Sequence, residues 1–227
     1  MKILVTGGLG FIGSHTVVEL QNEGYDVVII DDLSNSDIKV LEGIVEITGK
    51  APVFEKLDLK IKSDVREFFK KHSDIVGVIH FAANKAVGES VREPLMYYEN
   101  NIGTLVYVLQ EIAQLKQQNF IFSSSCTVYG EADELPITED AKVKPAESPY
   151  GNTKQIGEEI INDTCKAQAQ LKSIALRYFN PIGAHASALI GELPIGVPQN
   201  LVPFITQTAA GIREKLSVFG GDYPTPD

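Results

Sequence analysis

Short apolar runs alternate with stretches of helical periodicity along most of this chain. The runs predict buried strands at residues 3–5, 27–30, 53–59, 75–81, 119–122 and 173–176. Between them, apolar residues at helical spacing predict helices, the clearest at residues 15–21, 101–114 and 148–171. Buried strands separated by helices are the pattern of a parallel sheet covered on both faces. We therefore predict an α/β fold with a doubly wound parallel sheet.

The pattern changes after Phe179. Residues 180–203 are rich in glycine, proline, asparagine and alanine and have no sustained periodicity. Residues 202–213 predict an amphipathic helix, and residues 216–219 predict a short strand. This change predicts a first domain at residues 1–179 and the beginning of a smaller second domain at residues 180–227.

Three glycines, Gly7, Gly10 and Gly13, stand between the first predicted strand and the helix that follows it. Glycines in this place let the backbone turn tightly and approach a pyrophosphate, and the helix N-terminus offers it free N–H groups. The order of strand, glycine turn and helix therefore predicts a dinucleotide site of the Rossmann type. The spacing, G-x-x-G-x-x-G, resembles that of the extended short-chain dehydrogenases/reductases that act on nucleotide sugars.

Asp31 follows the second predicted strand, eighteen residues after Gly13. A carboxylate at this place can accept hydrogen bonds from the ribose hydroxyls of the adenosine. Asp32 adds a second negative charge that would repel a 2′-phosphate, so NAD is favoured over NADP. The alternative is that Asp31 only caps a turn, since residues 31–35 are also good loop formers.

A second group of residues suits redox chemistry at an alcohol. Tyr150 and Lys154 are four residues apart, which places them on one face of the predicted helix. The ammonium, together with a positive nicotinamide, would lower the pKa of the tyrosine and make it a usable base. Ser125 follows the fifth predicted strand, at the sheet edge where ligands bind in such folds. Its hydroxyl can bond the oxygen that is oxidised or reduced.

Charge and cysteine content narrow the possible partners. The 227 residues carry a formal net charge of −10, which disfavours binding to nucleic acid or to an anionic membrane. Cys126 and Cys165 form no metal motif and no disulfide framework, as expected in the cytoplasm. We see neither a leader sequence nor an apolar run that would span a bilayer. His72, His80 and His185 are expected to be structural, so no metal site is predicted.

Five segments together resemble the UDP-glucose 4-epimerase family. They are residues 6–15 (TGGLGFIGSH), 31–36 (DDLSNS), 123–130 (SSSCTVYG), 178–185 (YFNPIGAH) and 218–225 (VFGGDYPT). The resemblance implies that Ser125, Tyr150 and Lys154 are catalytic. It implies cofactor binding by Gly7, Gly10, Phe11, Ile12, Gly13, Asp31, Asn35, Asp58, Leu59, Phe81, Ala82, Lys85, Asn100, Tyr150 and Lys154. It implies substrate binding by Ser125, Tyr150, Asn180, Asn200, Leu201 and Phe219.

The resemblance also implies a reaction and an assembly. In this family, NAD takes a hydride from sugar C4, the 4-keto intermediate rotates, and the hydride returns to the opposite face, which interconverts UDP-glucose and UDP-galactose. The first domain would then bind NAD, and residues 180–227 would form part of the nucleotide-sugar site. A homodimer is expected, paired through the helices predicted at residues 101–114 and 148–171.

Three features of the sequence depart from the family, the first being Asp32, which stands where asparagine is frequent. Family members continue past Asp227 with segments that supply an arginine for the diphosphate, so this chain is expected to lack a C-terminal part. Arg213, in a predicted helix, is a doubtful substitute for that arginine. The segment from Asn100 to Thr104 is one residue shorter than expected, which makes the register of Asn100 uncertain.

Three alternatives remain beside the epimerase. A 4,6-dehydratase would need an adjacent Asp-Glu pair, whereas Cys126 and Thr127 follow Ser125. An epimerase for UDP-glucuronate or UDP-N-acetylglucosamine would share the same motifs. A non-catalytic NAD sensor would dispense with the catalytic residues, which are present here. Outside the resemblance, Lys85 would be a solvated loop lysine, Asn100 a helix cap and Phe219 a core residue.

Overall fold

The computed structural model describes residues 1–218 as a parallel sheet with helices on both faces. The strands are β1 (Lys2–Thr6), β2 (Asp26–Asp31), β3 (Val53–Lys56), β4 (Ile75–His80), β5 (Gln118–Ser123) and β6 (Leu171–Leu176). The helices are α1 (Phe11–Asn22), α2 (Lys39–Thr48), α3 (Lys62–Lys71), α4 (Val87–Arg92), α5 (Pro94–Ile112), α6 (Pro149–Ala167) and α7 (Leu201–Ala209). The predicted doubly wound α/β fold is confirmed.

Alternation along the strands sends side chains into two separate cores. In β1, Leu4 joins the core that α3, α5 and α6 cover, whereas its neighbour Val5 joins the core that α1 and α2 cover. Both residues are fully buried. Because successive residues of a strand point to opposite faces, a strand that is apolar throughout must be covered on both sides. This is why the strands of this chain read as continuous apolar runs.

The strand order places a crevice at one edge of the sheet. The order is β3-β2-β1-β4-β5-β6, and each neighbouring pair is parallel. The chain builds outward from β1 to β3 and then returns to add β4 on the other side of β1. Loops that leave the carboxyl ends of β1 and β4 therefore diverge, and ligands bind in the crevice between them in folds of this class. The predicted dinucleotide site lies at this edge.

Several predicted boundaries are wrong. Helix α5 begins at Pro94 rather than at residue 101, and α6 ends at Ala167 because the chain must extend again by Leu171 to pair with β5. Helix α7 ends at Ala209, so Arg213 lies beyond it. Residues 216–218, the described part of the last predicted strand, are not in a strand. Within residues 1–218, no helix is both long enough and apolar enough to cross a membrane.

The segment after Phe179 packs back onto the first half of the chain. Ile190 is 2% exposed and joins the core formed by Leu9, Val17 and Ile44. A Cβ on Gly43 of α2 would lie 2.7 Å from the carbonyl oxygen of Leu189, so the segment lies directly against that helix. The division at residue 179 stays a prediction, and the described contacts across it are close.

Candidate functional site

The glycine turn after β1 is too tight for side chains. Gly7 has a φ of +66°, and a Cβ there would lie 2.9 Å from the backbone nitrogen of Ala82. A Cβ on Gly13 would lie 2.2 Å from the carbonyl oxygen of Gly7. Helix α1 starts at Phe11, directly after this turn, so the N–H groups of its first turn have no partners inside the helix. A bare backbone turn that opens into a helix N-terminus fits the pyrophosphate of NAD.

Asp31, the last residue of β2, organises the loops around this turn. Its Oδ2 accepts a hydrogen bond from the backbone N–H of Leu9 at 3.1 Å. Its Oδ1 accepts from the N–H of Leu33 at 3.0 Å and from the hydroxyl of Ser36 at 2.7 Å. The turn-capping role considered from the sequence is therefore present. An ionised carboxylate has about four acceptor positions, so ribose binding by the same group is compatible with these contacts.

The other residues predicted to bind the cofactor follow the carboxyl ends of neighbouring strands. Phe81 and Ala82 follow β4, and Ala82 donates its N–H to Thr6 Oγ1 at 3.3 Å, which ties this loop to the end of β1. Asp58 and Leu59 follow β3; Leu59 is buried, and Asp58 accepts the N–H of Lys60 at 2.9 Å. These residues thus lie at the carboxyl edge of the sheet, whereas Asn35 is on an exposed loop.

Asn101, which the sequence reasoning did not select, holds the loop after β4. Its Oδ1 accepts the N–H of Asn84 at 2.8 Å, and its Nδ2 donates to the Asn84 carbonyl at 3.0 Å and to Thr153 Oγ1 at 3.1 Å. Asn100, the predicted ligand, donates from Nδ2 to Asn101 Oδ1 at 3.0 Å. The signal in the sequence was the asparagine pair itself, whose register was uncertain.

Ser125, Tyr150 and Lys154 converge at the end of β5. Ser125 is buried, and its Oγ accepts the N–H of Thr127 at 3.2 Å, which caps a short 3-10 turn over Cys126–Tyr129. Tyr150 is the second residue of α6, and Lys154 follows one turn later. The Lys154 ammonium lies 5.6 Å from the centre of the Tyr150 ring and donates to the carbonyl of Ser123 at 2.7 Å. The structure therefore brings the three predicted catalytic side chains to one place.

The charge balance at Tyr150 corrects one expectation. Burial raises the pKa of Tyr150 to about 12, and a hydrogen bond with Ser125 acts in the opposite direction. Burial also lowers the pKa of Lys154 to about 8. The expectation that the ammonium would lower the pKa of the tyrosine is therefore not met by this chain's own groups, because desolvation has the larger effect. Tyr150 is a proton donor near neutral pH unless further positive charge is brought beside it.

The residues predicted to bind the substrate are only partly assembled. Asn200 donates from Nδ2 to Oε1 of Glu192 at 2.5 Å, and the same carboxylate pairs with the ammonium of Lys85 at 3.7 Å. Glu192 thus links a predicted cofactor residue to a predicted substrate residue, and no sequence motif pointed to it. Asn180 and Leu201 are exposed, and the Asn180 amide has no side-chain hydrogen bond inside the described chain. Phe219 lies outside the described residues.

Arg213 is engaged locally. It lies beyond the end of α7, where its Nε donates to Gln207 Oε1 at 2.7 Å and its Nη2 donates to the Gly196 carbonyl at 3.2 Å. Its guanidinium also lies 5.0 Å from the centre of the Phe204 ring. Among the described side chains, no group of histidine, cysteine or carboxylate residues could hold a metal ion.

Comparison with models of protein families shows to which family the chain belongs. The model of the NAD dependent epimerase/dehydratase family matches residues 3–220. The chain belongs to this family. Among curated proteins, the UDP-glucose 4-epimerase of Haemophilus influenzae is 50% identical over 227 residues, which are all of this chain and 67% of that protein. The UDP-glucose 4-epimerase of Neisseria meningitidis serogroup C is 51% identical over 226 residues, covering 100% of this chain and 66% of that protein.

Solved structures agree with the sequence relatives. The UDP-glucose 4-epimerase of Stenotrophomonas maltophila, with bound NAD and formylated UDP-arabinopyranose, is 49% identical with a TM-score of 0.94; the match covers all of this chain and 67% of that one. The Bifidobacterium longum enzyme, in complex with NAD+ and UDP, is 43% identical with a TM-score of 0.96; the match covers all of this chain and 68% of that one. The chain thus spans about two thirds of the length of these relatives. The resemblance to UDP-glucose 4-epimerases and the dependence of the family on NAD are confirmed.

Proposed function

We propose that this chain is the NAD-binding and catalytic portion of a UDP-glucose 4-epimerase, an isomerase that interconverts UDP-glucose and UDP-galactose. The observation that carries this proposal is the convergence of Ser125, Tyr150 and Lys154 at the carboxyl edge of the sheet. Relatives about half identical to the chain over its whole length bear that enzyme's name. NAD is the proposed cofactor, held by the glycine turn, Asp31 and the loops after β3 and β4.

The proposed chemistry divides between the cofactor and three side chains. Bound NAD supplies the oxidant, taking up the hydrogen that leaves sugar C4 and later giving it back. Once positive charge beside the ring has displaced the phenolic proton of Tyr150 to solvent, its phenolate oxygen takes the proton of the sugar 4-hydroxyl as C4 is oxidised and returns it as the ketone is reduced. Ser125 donates its one hydroxyl proton to whichever of the two oxygens, that of Tyr150 or that of the sugar, has lost its proton and accepts from the other, so it fixes the distance over which the proton moves.

Lys154 has two proposed tasks. It fastens α6 to the end of β5 through the Ser123 carbonyl, and its charge stabilises a phenolate at Tyr150. The burial that raises the pKa of Tyr150 also excludes water, so a charge brought next to the ring has a larger effect there than in solvent. The lowered pKa of Lys154, about 8, means that this charge is present at neutral pH and is lost above it.

The substrate side rests on fewer contacts. Asn180, Asn200, Leu201 and Phe219 are the proposed nucleotide-sugar residues, and Glu192 orients Asn200. A 4,6-dehydratase is disfavoured because Cys126 and Thr127 occupy the turn where that reaction needs its acid pair. A homodimer paired through α5 and α6 and a cytoplasmic location remain part of the proposal. Light scattering at micromolar concentration tests the dimer, and a monomer alone would contradict it.

The activity is tested by following UDP-galactose with proton NMR in the presence of the purified protein and no added reductant. An epimerase gives a stable mixture of UDP-galactose and UDP-glucose. A dehydratase gives instead a 4-keto-6-deoxy sugar, and a sensor leaves the substrate unchanged. The 4-keto-6-deoxy sugar would refute the proposed function, and so would unchanged substrate with protein that has been shown to carry NAD and to bind UDP. UDP-N-acetylgalactosamine in a parallel tube determines whether N-acetylated sugars are accepted.

A further inference from the structure

Three consecutive serines at the end of β5 each contact one side chain on the same face of α6. The carbonyl of Ser123 accepts from Lys154, Ser124 donates to Oε1 of Glu158, and the Ser125 hydroxyl lies near enough to Tyr150 to lower the pKa of that tyrosine. Tyr150, Lys154 and Glu158 are spaced four residues apart, so they lie in line along the helix. Two of these contacts belong to the proposed catalytic group, and the third, at Glu158, has had no role so far.

Glu158 is fixed from its other side by Arg177, which directly follows β6. Nε of Arg177 donates to Glu158 Oε1 at 2.9 Å, and Nη2 donates to Oε2 at 2.6 Å, so the guanidinium holds the carboxylate by two bonds. The side chains are only 24% and 16% exposed. The Glu158 carboxylate raises the pKa of Arg177 above its usual range, so the guanidinium stays charged. A fork of this kind fixes orientation as well as distance.

Arg177 also reaches the turn that follows Ser125. Its guanidinium lies 5.0 Å from the centre of the Tyr129 ring, and Tyr129 is buried at the end of the 3-10 turn. The Glu158–Arg177 pair thus contacts the segment that carries Ser125 on both sides, at Ser124 and at Tyr129. It joins this segment to α6, which carries Tyr150, and to the end of β6.

We propose that Glu158, held by Arg177, is a positioning residue that sets the separation between the hydroxyls of Ser125 and Tyr150. This inference rests on the proposed function for its kinetic consequence, but its geometric part does not depend on turnover. Proton transfer requires the two hydroxyls and the sugar oxygen to be within hydrogen-bonding reach, and a displacement of about 1 Å can lower a rate by about a hundredfold. Neither Glu158 nor Arg177 is proposed to touch the substrate.

The test replaces Glu158 with glutamine, which is nearly the same size. An amide oxygen can still accept from Ser124, but the amide NH2 faces the donors of Arg177 and the fork is lost. The matched control is Glu159→Gln, the same change one residue along α6 on its exposed side. Ser124→Ala is the second variant, because it removes a single hydroxyl and leaves the ion pair intact, so it is expected to fold even if Glu158→Gln does not.

For Glu158→Gln we expect kcat to fall about 10- to 100-fold while KM and NAD content change by less than about twofold. The hydrogen bond from Ser125 lowers the pKa of Tyr150, so its loosening should move the acidic limb of the kcat–pH profile to higher pH. Ser124→Ala should change the same quantities in the same direction, and Glu159→Gln should change none. A merely structural ion pair would lower stability without moving the pH limb, and that result would overturn the proposal.

Crystal structures of the same proteins give a readout that needs no activity. We expect the distance between Ser125 Oγ and Tyr150 Oη to lengthen by about 0.5 Å or more in Glu158→Gln and to stay unchanged in Glu159→Gln. An unchanged distance in Glu158→Gln would refute the positioning role. If the wild type does not epimerise UDP-galactose, the proposed function fails, and this distance still decides whether Glu158 positions the hydroxyls.

Discussion

Gly13→Ala tests whether the glycine turn is as tight as the structure indicates. A Cβ at residue 13 would lie 2.2 Å from the Gly7 carbonyl oxygen and 2.8 Å from the Cα of Gly8. Favourable contacts between heavy atoms lie at about 3.5–4.0 Å, so the turn would have to move by about 1 Å. Gly7 is itself confined, because its own Cβ position lies 2.9 Å from the Ala82 nitrogen. Both obstacles are backbone, which cannot rotate aside.

The expected cost of Gly13→Ala combines two opposing terms. Alanine gains about 1 kcal/mol over glycine inside a helix, and Gly13 lies in α1. Overpacking costs about 1–3 kcal/mol, and rigid obstacles favour the upper part of that range. Gly103→Ala is the matched control, because Gly103 lies inside α5 with nothing within 4 Å of its Cβ position. The gain in helix propensity is the same in both variants and cancels. The free energy of unfolding of Gly13→Ala should therefore be about 2–3 kcal/mol lower than that of Gly103→Ala.

Urea unfolding followed by circular dichroism measures this difference, since the chain has no tryptophan to report by fluorescence. The displaced turn should also hold the pyrophosphate poorly, so the Gly13→Ala protein should be purified with less than about a tenth of the NAD content of Gly103→Ala. Equal stability and equal NAD content in the two variants would show that the turn is not tightly packed and would remove the main structural argument for the cofactor site.

Three further predictions concern the site and its surroundings. Tyr150→Phe should lower the rate of epimerisation by about 10²–10⁴-fold with NAD content unchanged. Lys154→Ala should be at least as damaging, because it also removes the donor to the Ser123 carbonyl. Near-normal turnover of Tyr150→Phe in steady-state assays would require another base. Denaturing the purified protein should release NAD and not NADP, because Asp31 and Asp32 oppose a 2′-phosphate; release of NADP, identified by a specific enzymatic assay, would contradict this. Burial lowers the pKa of His80 to about 3. Between pH 3 and 6.5 the unfolded chain therefore binds more protons than the folded one, and the free energy of unfolding falls as the pH drops through that window. The stability advantage of the wild type over His80→Asn should shrink by about 2 kcal/mol between pH 7.5 and 5, whereas a constant difference would show that His80 is not held neutral.

The strands of this chain could be predicted because each is a short apolar run covered on both faces. Predicted and observed bounds of β2 and β5 differ by one residue at each end. The start of α5 was missed because residues 94–100 are mainly polar and aromatic, without helical periodicity. Their burial depends on long-range packing, as at Tyr97, whose hydroxyl bonds to Glu89 and Ala86. Packing of this kind overrides the local pattern.

The candidate site could be predicted where its residues follow strand ends or share a helix face. The glycine turn, Ser125, Tyr150 and Lys154 all belong to this class, and the structure brings them to the expected edge. Glu158 had a readable signal, since it continues the spacing of Tyr150 and Lys154, but its partner Arg177 follows another strand. Glu192 had none, because its place depends on how the segment around Ile190 packs onto α2.

The pKa shifts of the candidate catalytic residues could not be predicted from the sequence. The spacing of Tyr150 and Lys154 indicated that one would tune the other, yet it says nothing about how deeply each is buried. Burial alone moves the pKa of Tyr150 upward and that of Lys154 downward, against the expected direction at the tyrosine. The size of a desolvation effect depends on all the elements packed around a group, and these are known only from the fold.

Transfer of hydrogen within one active site is the central claim, and an isotope label at the reacting carbon tests it most directly. The purified protein is incubated with UDP-galactose deuterated at sugar C4, in ordinary water and with excess unlabelled NADH, and the product is examined by NMR and mass spectrometry. We predict UDP-glucose that keeps the deuterium at C4, because the hydrogen removed from C4 returns to the same carbon from the cofactor held in the site. Product that has lost the label to solvent or to the added NADH would contradict the account.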